Sequence, residues 1–164
     1  MIDTTDLKAK ALQKQLSQIV KGGDGSVDEP MHVEVMSFGF KRGLPRQADL
    51  VFDVRFLPNP FYIKELCRHS GLDADVRDFV MSFDVTKEFL TRIGGMLDFL
   101  IPHYREEGKH RLVIAIGCTG GAHRSVAIAE AIGAHLRLTG CKVTCEHRDL
   151  DLEQARWLDV PEGT

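Results

Sequence analysis

The chain has 164 residues, of which 43% are hydrophobic and 27% charged, with a formal net charge of −3. That is the profile of one ordinary soluble globular domain, large enough to bury a proper core. There is no run of about 18 apolar residues to cross a bilayer, and the negative balance argues against a wholesale nucleic-acid coat, whose affinity rests on phosphate neutralisation. A local basic patch stays open.

The N-terminus, with Asp3, Asp6 and Lys8, does not read as a signal peptide. Residues 4–21 carry a helical apolar stripe through Leu7, Ala11, Leu12, Leu16, Ile19 and Val20, with Thr5 and Asp6 as caps. Lys21-Gly22-Gly23-Asp24-Gly25-Ser26 reads as a flexible linker. The expected organisation is therefore a helix and linker over 1–26, followed by a domain over 27–164.

The domain opens with strands at 32–40 and 50–56, the second stopped by Leu57-Pro58-Asn59-Pro60 because proline cannot donate to a ladder. Periodicity places helices at 61–69, 73–82 and 85–104, a third strand at 111–117, a helix at 125–138 and a fourth strand at 142–147. Strands separated by helices imply an α/β fold, a mostly parallel sheet with helices on both faces. Ligands of such sheets bind beyond the carboxyl ends of the strands.

One such end reads Gly117-Cys118-Thr119-Gly120-Gly121-Ala122-His123-Arg124-Ser125. A strand, a glycine-rich turn and a helix start make an anion cradle, because first-turn N–H groups and the helix dipole both face the ligand. Gly120 and Gly121 permit close backbone approach, Thr119 and Ser125 add hydroxyls, and Arg124 adds a planar fork suited to phosphate oxygens. No Lys-Ser or Lys-Thr follows the glycines, so a Walker-type nucleoside triphosphate site is not supported.

Two other strand ends carry polar sequence. Asp53 and Arg55 share a strand face by period two, and Ser37-Phe38-Gly39-Phe40-Lys41-Arg42-Gly43 ends the first strand with two cations. Each alone is equally well an ion pair or a solvated turn. Together the three ends favour one composite pocket.

Cys67, Cys118, Cys141 and Cys145 show no disulfide-framework spacing, so a reducing, cytoplasmic setting is expected. Cys141-x3-Cys145 has no second pair nearby, and neither a metal nor a cofactor is expected. Trp157 is read as a packing anchor or a contact to another subunit.

The strings Ser37-Phe38-Gly39-Phe40-Lys41, Phe52-Asp53-Val54-Arg55-Phe56-Leu57-Pro58-Asn59-Pro60, Gly71-Leu72-Asp73 and Ala115-Ile116-Gly117-Cys118-Thr119-Gly120-Gly121 together resemble the C-terminal domain of the RapZ/YvcJ family of RNase adapter proteins. His123-Arg124-Ser125-Val126 and His147-Arg148-Asp149 extend the match, which runs from about Asp3 to Asp149. Full-length members carry an N-terminal P-loop domain that binds ATP or GTP. Ile2 to Leu7 looks like the family's interdomain segment, so the chain is expected to be an excised C-terminal domain.

The resemblance implies a phosphofructokinase-like α/β fold that senses glucosamine-6-phosphate, binds a small RNA and presents it to an endoribonuclease; a homo-oligomer is expected. Carried over by motif, the sugar-phosphate pocket comprises Asp53, Arg55, Cys118, Thr119, Gly120, Gly121, His123 and Arg124. RNA contacts would involve Lys41, Arg42 and Arg55. Two departures from the enterobacterial branch bear on the RNA role: Phe61 replaces its His after Asn-Pro, and its basic tail is here Asp149-Leu150-Asp151-Leu152-Glu153.

Two readings compete with the sensor. Cys118, five residues and Arg124-Ser125 reproduce the spacing of cysteine-dependent phosphatases, in which a thiolate attacks phosphorus, the arginine clamps the phosphate, and Asp53 or Asp84 would serve as acid. A pure RNA-binding module would use Lys41, Arg42, Arg46, Arg55 and Arg124 as its patch.

Overall fold

In the computed structural model, which describes residues 11–12 and 29–161, four parallel strands form one sheet. The strands are β1 (His32–Gly39), β2 (Leu50–Asp53), β3 (Arg111–Cys118) and β4 (Lys142–His147), in the order β2-β3-β1-β4. The described helices are α1 (Ala74–Met81), α2 (Asp84–Glu106), α3 (Arg124–Leu138) and α4 (Leu150–Asp159). Ala11 and Leu12 are helical and exposed. The remainder of the helix expected at 4–21, and the linker at 21–26, lie outside the described residues.

The expected α/β class and parallel sheet are found. The sheet's cover is uneven, for a topological reason. The β2–β3 and β3–β4 connections cross the sheet in one direction, whereas the β1–β2 connection crosses in the other. Right-handed crossovers then put the first two on one face and the third on the opposite face. On the first face, Val33 and Val35 of β1 and Leu112, Ile114 and Ile116 of β3 join Val80, Leu97, Ile128 and Leu136 of the helices in one buried cluster. The opposite face is crossed by residues 40–49, which carry only a short 3-10 turn at Phe40–Arg42 and reach Met36 through Gln47. Phe40 packs edge-on against the buried Phe38 there, ring centres 4.9 Å apart.

Three local outcomes differ from the sequence expectation. The second strand stops at Asp53 instead of 56, because the Asp53 carboxylate accepts from the Arg55 backbone N–H at 2.9 Å and turns the chain. Residues 61–69 form a 3-10 turn at Pro60–Tyr62 followed by further turns, not an α-helix. Its isolated i→i+4 bond, Cys67 N–H to the Ile63 carbonyl, is not propagated, as nucleation costs dictate for so short a segment. Finally, α4 occupies the acidic tail, where the sequence reading placed no helix. Asp151 and Glu153 lie in its first turn, where the helix dipole favours negative charge.

The carboxyl ends of the strands come together through register. Gly39 stands opposite Cys118, and Ser37 opposite His147. Asp53 stands opposite Gly117. His147 bridges two elements, with Nδ1 2.8 Å from Ser37 Oγ and Nε2 2.8 Å from Glu130 Oε1. Asp149, almost wholly buried, accepts from the Gly39 N–H at 2.7 Å and from Arg148 at 2.8 Å. Burial pushes its carboxyl pKa up, but these donors outweigh that and leave it below the usual value. No described helix is long and apolar enough to cross a membrane.

Candidate functional site

Beyond the carboxyl ends of β1 and β3 lies a cavity of about 1200 Å³. Its floor includes Cys118, Thr119, Gly120, His123 and Arg124, and its walls include Lys41, Phe61, Tyr62, Glu153 and Trp157. The loop is held by its own glycines. Gly121 has φ of +86°, a left-handed conformation that side chains resist. A β-carbon there would stand 2.6 Å from the Gly39 nitrogen, and one on Gly39 would stand 2.4 Å from the Gly120 carbonyl oxygen. Two backbones thus meet where no side chain fits.

Cys118 is buried. Its Sγ accepts from the Gly121 N–H at 3.3 Å and lies 3.0 Å from Ser125 Oγ. The thiol is therefore a clasp inside the turn. Arg124 opens α3 and is only 5% exposed. Its Nη1 donates to the Arg55 carbonyl at 2.6 Å and the Leu57 carbonyl at 2.9 Å, pinning the exit of β2 to the loop. Its Nε is buried without a partner, and burial lowers its pKa. A buried guanidinium donor without an acceptor is a costly state that an anion would relieve.

His123 precedes α3 and is buried. Nε2 sits 3.1 Å from the Cys67 carbonyl, which can only accept, so the proton belongs on Nε2. Its ring lies 5.4 Å from Trp157 and 6.5 Å from Phe61, centre to centre. Burial pushes the His123 pKa below its usual value, and the Arg124 charge adds to the effect. The neutral form is thus the folded form, and its stabilisation is present above the unfolded pKa of about 6.5. It is lost as pH falls below that toward the depressed folded value. Urea midpoints are expected to fall between pH 7.5 and pH 5.5, with a smaller fall in His123→Asn; equal falls in both proteins would show that His123 is not the titrating group.

The other expected site residues lie around this centre. Asp53 and Arg55 are adjacent to it but do not line the cavity. They form a two-pronged ion pair, Arg55 Nη2 to Asp53 Oδ2 at 2.6 Å and Nε to Oδ1 at 3.0 Å, with both side chains about half exposed. The Arg55 bonds, chief among the influences, lower the Asp53 pKa. Arg55 also lies over the Phe40 ring, 4.1 Å from its centre. Lys41 and Arg42 both pair with Glu153. Of the five cations expected in an RNA patch, four already face a carboxylate or a backbone carbonyl. Asp84 starts α2 and lies within ion-pair distance of Lys87 at 3.9 Å. Sequence reasoning missed Glu153, because an acidic residue in an acidic tail carries no mark of being turned inward. The aromatic wall of Phe61, Tyr62 and Trp157 was likewise not legible as a unit.

A parallel α/β domain whose glycine-rich loop and arginine-headed helix floor a cavity at the strand ends is the class that fold and site define. Residues 31–151 match the family model described as the RapZ C-terminal domain, and the chain belongs to that family. A nucleotide-binding protein of Clostridium botulinum strain Hall is 53% identical over 151 residues, covering 92% of this chain and 51% of that protein. Nucleotide-binding proteins of Clostridium acetobutylicum and Clostridium novyi strain NT are each 51% identical over the same shares. The chain thus spans about half the length of the curated relatives it matches.

Proposed function

We propose that this domain binds a phosphate-bearing metabolite, a sugar phosphate of the glucosamine-6-phosphate kind, in the loop from Cys118 to Arg124. It acts as a sensing adapter, presenting a small RNA to an endoribonuclease according to whether the ligand is bound. The observation that carries the ligand reading is Arg124, which heads α3 and lines the cavity while its buried Nε has no partner. Thr119, exposed on the loop, adds a hydroxyl to the cavity lining. The aromatic side chains across the cavity offer faces against which the apolar side of a sugar ring can pack. The adapter role, with its RNA and nuclease partners, rests on family membership.

Binding is favoured over phosphatase turnover by where the reacting groups point. Arg124 Nη1 is spent on two backbone carbonyls, and Asp53, the acid candidate, is held by Arg55. Calorimetry should therefore detect glucosamine-6-phosphate but not glucosamine, since the loop reads the phosphate. Cys118→Ser should retain most of that affinity, and wild type should not turn over an aryl phosphate, because only covalent catalysis needs the thiolate. A wild-type turnover abolished in Cys118→Ser at unchanged affinity would replace the sensor reading with the enzymatic one.

A further inference from the structure

Glu153 places a carboxylate where the proposed ligand's own negative charge would be welcome. From the first turn of α4 its carboxylate reaches over the loop, where Oε1 pairs with Lys41, with Arg42 Nη1 at 2.7 Å and with Arg156 Nη1 at 3.4 Å. Oε2 lies only 3.0 Å from the point a Gly120 β-carbon would occupy, so the missing side chain of Gly120 is what admits it. The group is 9% exposed. Burial pushes its pKa up, yet the Lys41 and Arg42 bonds outweigh this and hold it below the usual value, so it stays charged at neutral pH.

The helix that carries this carboxylate is otherwise lightly held. Only Leu150 and Glu153 are buried in α4, while Leu152 and Leu158 are 54% and 88% exposed. Among the described residues, the Trp157 ring lies beside His123, and just past the helix Arg68 donates to the Val160 carbonyl at 2.8 Å. An element with so little apolar burial opens at low cost.

Resting on the phosphate-loop reading, we propose that Glu153 holds the place of an anionic group of the ligand: Lys41 and Arg42 form an anion subsite at the loop mouth, and α4, which carries Glu153 and Arg156 together, is a strap that a small phosphorylated ligand releases by exchanging its own charge for the carboxylate. A phosphate entering beside a retained Glu153 would meet like charge in a desolvated site. Exchange removes the repulsion and supplies the ligand with two cations already gathered, Lys41 and Arg42. The closed strap lowers apparent affinity by the fraction of time it is open, and its release would move Trp157 away from His123 as a change on the outer surface.

The test uses the chain's single tryptophan and glucosamine-6-phosphate as probe. In wild type, saturating probe should shift Trp157 emission to the red and speed amide exchange over 150–159. Ligand-free Glu153→Gln should show both changes already and bind the probe about fivefold or more tightly. Lys41→Gln should loosen α4 equally but weaken binding, a divergence that a merely structural role for the ion cluster would not produce. Equal or weaker binding by Glu153→Gln overturns the exchange while leaving the loop reading intact, because both proteins then bind. No binding by any of the three proteins overturns the loop reading and the exchange with it.

Discussion

Replacing Gly121 with alanine is expected to lower stability by about 2–5 kcal/mol and the Tm by roughly 5–20 °C. The residue has φ of +86°, where a β-carbon costs about 1–2 kcal/mol. The new carbon would also stand 2.6 Å from the Gly39 nitrogen and 2.8 Å from the Phe38 carbonyl carbon, backbone atoms that cannot rotate aside. Overpacking of this kind adds about 1–3 kcal/mol. Relief by backbone movement would strain the Gly39 N–H bond to the buried Asp149. Phosphate binding should disappear with the loop's shape. Thermal unfolding followed by circular dichroism measures the first effect and calorimetry the second; a Tm within a degree of wild type would mean the loop does not press on β1 as described. Gly140→Ala makes a control, since its φ is +87° but nothing lies within 4 Å of the added carbon. It should show the conformational penalty alone.

Arg124→Ala should destabilise the domain by about 2–5 kcal/mol in urea denaturation, before any ligand is added. Its Nη1 satisfies the carbonyls of Arg55 and Leu57, and each acceptor left buried and unmet costs about 1–3 kcal/mol. At a temperature where the variant is still folded, sugar-phosphate affinity should fall by a further 1.5–3 kcal/mol, about the worth of a charge-assisted hydrogen bond. Arg124→Lys should recover only part of either loss, because its donors all sit on one nitrogen and lack the separate, rigidly placed nitrogens of the planar fork. Unchanged stability together with lost binding would assign Arg124 to the ligand alone. Lost stability with unchanged binding would make it a strut.

These expectations bear on how a binding loop can report outward. Arg124 joins the loop to the exit of β2, Asp149 joins β1 to the start of α4, and Trp157 joins α4 back to His123. Occupation of the cavity floor, as proposed, would therefore act on groups that also hold the outer elements. A coupling of this kind needs the ligand to contact one arrangement better than the other, and the proposed exchange at Glu153 would supply that difference.

Much of this protein could be read from residue order, and the reason is local. The apolar runs of β1 and β3, the 3.6-residue stripe of α2 and the glycine-rich break between β3 and α3 are each decided by neighbours within a few positions, so period and turn chemistry suffice. The loop Cys118–Arg124 and its place beyond the strand ends belong to that class. What contact decided lay elsewhere. The carboxylate of Asp53 turns the chain and ends β2 early. Residues 61–69 stay a series of turns that offer the Cys67 carbonyl to His123. Arg124, expected to face a ligand with both prongs, gives one to the backbone of a strand end some 70 residues earlier in sequence. Glu153 turns inward only because Lys41, Arg42 and Arg156 converge there and Gly120 leaves room. The worth of a charge depends on which opposite charges and how much water surround it, and neither is written in the order of residues until the fold brings distant segments to one place.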